Sequence, residues 1–263
     1  MTPPTPHIWR PFARLLRRLL ALLPGRWRLV QLFQSLPAGP CVYVVHHQNL
    51  AGPAAALALL PGQPRPWVLC PFLQRRACFE QYYGYTFTRR FGWPRPLALP
   101  AAALAAALVP PLLRGFGAIP VYRAAQNRPG DGRLRRTWQL SRQALARGES
   151  LIICPDVAYA SPAVCTGALY QGFLALGRDY QRRRQRPLPF VPAVCDKAGR
   201  RLLLGEPVYL QPGQPLASQK AQAAALLASR LNGLAALAAG GAAANTPPPR
   251  KPGGLSPAPD GAA

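Results

Sequence analysis

The sequence predicts one α/β domain built on a mixed, mainly parallel sheet flanked by helices. Short apolar runs recur at 41–45, 67–70, 117–122, 150–154, 189–195 and 201–210. Segments with helical spacing lie between and after them, at 50–60, 132–147, 167–184 and 218–238. Strands that alternate with helices bury both faces of a sheet, which favours parallel pairing. The chain has 263 residues, 49% of them hydrophobic, which suffices for one good-sized core and is short for two.

Taken in order, residues 1–6 are a Pro-rich lead and 7–23 have helical spacing. Ile8, Phe12, Leu15, Leu16, Leu19, Leu20 and Leu23 make an apolar stripe; Arg10, Arg14, Arg17 and Arg18 make the polar one. Ordinary solvated faces mix opposite charges. Here the first carboxylate of the chain is Glu80. A basic amphipathic helix of this kind suits a membrane interface. Next, Cys41–Val45 reads as a strand ending at His46-His47. Asn49 reads as the cap of a helix over 50–60, with Pro61-Gly62 as its stop. Residues 72–93, rich in aromatics and Arg, fit a headgroup-facing surface or a half-buried helix.

The uncharged run 97–113 sits at the lower length limit for crossing a bilayer, is mostly Ala, and contains Pro100, Pro110 and Pro111. It predicts a buried or half-inserted helix rather than a span. A strand at 117–122 then leads through a Gly130-Asp131 turn to a helix over 132–147, with Gly148 as its stop. The strand at 150–154 ends at Pro155-Asp156. The helix over 167–184 places Leu169, Phe173, Leu176 and Tyr180 in register and closes on Arg182, Arg183 and Arg184, which complement its dipole. From Gly240 onward the Gly/Ala/Pro-rich composition predicts disorder. The expected divisions are a basic amphipathic segment (1–30), the α/β domain (31–238) and a tail (239–263).

The charge balance narrows the partners. Thirty-two basic residues face eight acidic ones, a formal net charge of +24. So positive a field attracts phosphate, on lipid headgroups or on nucleic acid. The Arg residues are spread out rather than gathered in a nucleic-acid motif, which weighs against the second partner. The six cysteines form no C-x-x-C pair, so no zinc or other metal site is expected. The N-terminus has no signal-peptide pattern, and the thiols read as free in a reducing compartment.

Any carboxylate chemistry must draw on Glu80, Asp131, Glu149, Asp156, Asp179, Asp196, Glu206 or Asp260. Asp156 stands out because it follows an apolar strand and a proline, at the strand end where α/β folds bind ligands. His46 and His47 close another strand, where an imidazole with a pKa near the working pH can act as a general base. The alternative is a pair of polar loop histidines.

Four segments in order carry a family resemblance: His46-His47-Gln-Asn49-Leu-Ala-Gly52-Pro53, Gly117-Ala-Ile-Pro-Val-Tyr-Arg123, Gly148 through Pro155-Asp156-Val157, and Phe190-Val-Pro192-Ala-Val followed by Gly205-Glu206-Pro207. Over about residues 40–210 the chain resembles the glycerol-3-phosphate and 1-acylglycerol-3-phosphate acyltransferase superfamily. The resemblance implies an acyltransferase-like domain at the cytoplasmic face of a membrane, serving phospholipid biosynthesis. His47 would take a proton from an acceptor hydroxyl. The donor would be acyl-CoA or acyl carrier protein as co-substrate, with no further cofactor. Arg123 would hold the acceptor phosphate, and Asp156 would stand where the family has Glu. Gly117, Asn49, Pro155 and Val157 would line the substrate.

Three departures accompany it. Gly52 falls where the family has the Asp that orients the catalytic His. Val157 replaces a Gly, and His46 replaces an Asn. Either Asp156 orients His47 instead, or the site serves a different acceptor, or the domain only binds lipid. An inactive lipid- or membrane-binding protein on the same fold is thus the main alternative, with nucleic-acid binding behind it.

Overall fold

The computed structural model describes residues 27–36, 38–122, 132–157 and 165–244, with only the backbone for 241–244, and the single positions Pro11, Leu15 and Arg18. Those three positions are helical and exposed. The rest of the predicted N-terminal helix, the turn at 130–131 and the chain beyond 244 lie outside the described residues.

Seven strands among the described residues form one sheet: β1 (Arg28–Gln31), β2 (Val42–Val45), β3 (Arg65–Leu69), β4 (Ile119–Val121), β5 (Leu151–Ile153), β6 (Phe190–Asp196) and β7 (Arg201–Leu204). Their spatial order is β1-β7-β6-β2-β5-β3-β4. Strands β2 to β6 all run parallel, β7 returns antiparallel to β6, and β1 pairs parallel with β7. Beyond the three single helical positions, the helices among the described residues are α1 (Ala51–Leu59), α2 (Arg75–Gln81), α3 (Arg95–Gly115), α4 (Arg133–Ala146), α5 (Ala175–Arg184) and α6 (Leu216–Ala244). A 3-10 turn (Cys70–Leu73) precedes α2, and a π-helical stretch (Tyr82–Arg90) links α2 towards α3. The predicted mixed, mainly parallel α/β domain is the fold found.

Strand alternation divides the core. Val42 and Val44 of β2 pack with Leu151 and Ile153 towards α4, α5 and α6. Tyr43 and Val45 point the other way, with Ile152, Val191 and the α1 residues Ala55 and Ala56. Both faces are covered, so all four residues of β2 are buried, as a central parallel strand requires. This fixes the strand that carries the two histidines.

Several boundaries differ from the sequence reading. β1 was not expected as a strand, and it straddles the residue-30 boundary. β7 stops at Leu204 because Gly205-Glu206-Pro207 leaves the ladder; Val208 rejoins only as a bridge to Phe190. α5 starts at Ala175, not 167, because 165–171 runs as a loop towards the site and only Gly172–Leu174 turn helically before it. α6 continues through Ala244, past the predicted end at 238. Asn49 is not a helix cap: Leu50 holds the N-cap position of α1, and no side chain caps it.

Candidate active site

β2 and β5 are parallel neighbours, so their carboxyl ends open at the same sheet edge. This is where open α/β sheets bind ligands. His46 and His47 directly follow β2; Asp156 follows β5 across Cys154-Pro155. The Asp156 carboxylate bridges the two strand ends. Its Oδ1 lies 2.8 Å from His46 Nδ1. Its Oδ2 accepts the backbone N–H of His47 at 2.8 Å. Thr166 Oγ1 donates to Oδ1 at 2.7 Å and lies 2.8 Å from His46 Nδ1. His46, Asp156 and Thr166 are all buried.

The charge states follow from this geometry. Burial alone would raise the Asp156 pKa. Hydrogen bonds from His46, Thr166 and the His47 amide outweigh it and hold the carboxyl below its ordinary value. An ionised carboxylate only accepts. Thr166 Oγ1 and His46 Nδ1 therefore both donate to it. The contact corrects one expectation: the ring Asp156 orients is that of His46, and it holds His47 through the backbone.

His47 is half-buried. Burial lowers its pKa, with the Asp156 charge opposing and Arg90 adding to the depression. The ring is thus neutral at neutral pH and able to accept a proton. Arg90, the last residue of the π-helical stretch, donates to Asn49 Oδ1. The Arg90 guanidinium is thereby held at Asn49, close enough to His47 for its charge to act on that ring. Gln48 and Asn49 both adopt positive φ, 43° and 62°. Such non-glycine strain persists where surroundings enforce it, often at functional sites. Gln48 is buried, and its Oε1 has no hydrogen-bond partner among the described residues.

The backbone explains Gly52. A Cβ there would stand 1.9 Å from the His46 carbonyl oxygen and 3.2 Å from Val45 Cγ1. The first turn of α1 packs directly on the end of β2, so an Asp at 52 does not fit this backbone. Asp156 supplies the carboxylate from the neighbouring strand.

The remaining predicted residues separate. Pro155 is buried and its carbonyl accepts the Tyr170 N–H; Val157 is exposed in the following turn and bonds Ala168. Both stay at the site. Gly117 does not. It precedes β4 and so lies at the opposite sheet edge, at positive φ, with its carbonyl bound by Arg65 Nε at 2.6 Å. Its role is the turn from α3 into β4. Arg123 lies outside the described residues. Residue 121, the end of β4, is three strands from β2 in the sheet order.

Three residues here were not singled out in the sequence: Thr166, Asn232 and Arg90. Asn232 on α6 accepts the Thr166 N–H at 2.7 Å and donates to its carbonyl at 3.1 Å, tying the loop to the long helix. Composition also argues for Asp156. Of the six acids among the described residues, Glu80, Glu149, Asp179, Asp196 and Glu206 each pair with arginine, and Asp156 pairs with histidine. Cys154 is no rival nucleophile: burial, then the Asp156 charge, pushes its thiol far up. No three His, Cys, Asp or Glu side chains among the described residues gather as a metal site. Comparison with protein-family models, curated proteins and solved structures found no match.

Proposed function

We propose that the chain is a membrane-associated acyltransferase, moving a fatty acyl group from an acyl thioester to the hydroxyl of a glycerophosphate or lysophospholipid. The observation that carries this is the Asp156 carboxylate binding both histidine residues at the carboxyl ends of β2 and β5. In this reading His47 removes the acceptor's hydroxyl proton. The resulting oxygen attacks the thioester carbonyl, the C–S bond breaks, and the thiolate of CoA or acyl carrier protein takes the proton back from His47. Arg90, beside His47, and Arg123, two residues past β4, are the candidate phosphate ligands. His46 and Thr166 position Asp156. The chain works at the cytoplasmic face, drawn to anionic lipid by its +24 charge.

A second reading makes His46 the base. The Asp-to-Nδ1 bond favours it, since that contact orients the imidazole in acid–histidine pairs generally. A non-catalytic lipid-binding domain is the reading favoured by the near-complete burial of His46 and Asp156. The test is thioester release by the intact chain over a panel of lysolipids with anionic vesicles present. Turnover with one acceptor class supports the transferase. Vesicle binding without turnover on any acceptor supports the lipid-binding domain.

A further inference from the structure

α3 is packed inside out. The residues it buries are small: Ala98, Ala102, Ala106 and Pro110. Four of its six leucines face away from the protein, with Leu97 at 61%, Leu99 at 52%, Leu104 at 61% and Leu108 at 48% exposure, and Leu112 and Leu113 are half-buried. Every exposed residue between 96 and 108 is Leu, Ala or Pro. In water a helix gains by burying its largest apolar side chains, and α6 does so with Leu227, Leu231 and Leu234. α3 does the reverse, and exposed apolar patches of this kind mark interaction sites.

The surroundings identify the occupant. Trp93 and Phe91, 43% and 54% exposed, stand at the N-terminal foot of α3. Arg75, Arg76, Arg89, Arg90 and Arg95 are exposed on the elements packed beside it and at its own start. Apolar side chains with interfacial aromatics and arginines around them match an anionic bilayer surface. A full crossing is disfavoured although α3 has 21 residues. Its Ala row is seated on α2 and the π-helical stretch, whose arginines would have to enter hydrocarbon.

We infer that α3 lies in the plane of an anionic membrane, with Leu97, Leu104 and Leu108 in the acyl region and the flanking arginines on lipid phosphates. This deepens the proposed function by naming the surface that presents the site to its lipid, and it rests on that reading only for its purpose.

The test is co-sedimentation of the full chain with phosphatidylglycerol-containing vesicles. The pair Leu104→Glu with Leu108→Glu should cut binding on the order of tenfold or more, since two leucine side chains leave hydrocarbon. Leu134→Glu with Tyr209→Glu makes the same charge change at apolar positions exposed elsewhere and should leave binding within about twofold. Unaltered thermal unfolding confirms that the α3 variant is folded. Wild-type-like vesicle binding by the α3 variant overturns the inference. So does a dimer that the α3 variant dissociates while vesicle binding persists, because the face is then a self-interface. Loss of vesicle binding with turnover retained on a soluble short-chain acceptor supports it. Vesicle binding through α3 by a chain with no turnover also supports it, and removes only the acyltransferase reading.

Discussion

His46 and Asp156, 110 residues apart in sequence, meet at 2.8 Å between the ends of two neighbouring parallel strands. Removing the carboxylate's charge is the sharpest perturbation of that contact. Asp156→Asn should lower turnover by about 10² to 10⁴, the scale of orienting carboxylates in acid–histidine pairs. Steady-state kinetics on the most active acceptor check this. The loss should fall on kcat more than on KM, because Asp156 holds the histidines rather than the substrate.

The same carboxyl links stability to pH. Its folded pKa lies below its ordinary value of 3.8. The stability it contributes is therefore complete above that value and is lost as pH falls through the lower folded pKa. In Asp156→Asn, chemical unfolding should lose this acid-range dependence and leave the protein less stable at neutral pH by about 1–3 kcal/mol, the cost of a broken buried network.

Activity should also follow His47. A base works when unprotonated, and burial lowers the His47 pKa from 6.5. The acid limb of kcat/KM should thus fall below pH 6.5, with a plateau at neutral pH. Arg90 contributes to the depression, so Arg90→Gln should move that limb upward. It should also raise KM for a phosphate-bearing acceptor. An unmoved limb removes Arg90 from the neighbourhood of the base.

Gly52 permits a structural check. Adding a methyl group at 1.9 Å from the His46 carbonyl oxygen forces the α1–β2 junction apart. Gly52→Ala should cost about 1–3 kcal/mol of stability, as overpacking does. Gly52→Asp should not raise turnover, although it adds a carboxylate close to the histidines. Urea unfolding and the thioester assay read the two outcomes.

Asn232 acts at a distance. It holds the Thr166 backbone and touches neither histidine in the described contacts. Asn232→Ala should lower stability by about 1 kcal/mol. A positioning role predicts a reduced kcat with KM little changed, and partial rescue by Asn232→Asp, which keeps the acceptor. A stability loss with unchanged kcat confines Asn232 to structure.

Much of this was legible in the sequence because local patterns fixed it. The apolar run 41–45 and the turn residues after it placed two histidines at a strand end, and Pro155-Asp156 did the same for β5. Parallel pairing then put both at one edge. What the sequence could not reveal depends on tertiary packing. Thr166 belongs to a loop with no local signature, and the partner of Asp156's second oxygen is a backbone amide. Gly52 looked like a lost catalytic acid, but its close approach to β2 is a three-dimensional constraint. The 97–113 run was read from its composition as buried or half-inserted; only the structure separates its buried Ala row from its exposed Leu row. Gly117 matched a motif and yet stands at the opposite edge, because a motif spans a strand while a site occupies one end of it.

The decisive measurement compares acyl-thioester turnover in the wild type, His47→Ala and His46→Ala at neutral pH, with anionic vesicles and a lysophospholipid acceptor. The account predicts turnover in the wild type, none above background in His47→Ala, and a reduced but measurable rate in His46→Ala. Wild-type-like turnover in His47→Ala would contradict it.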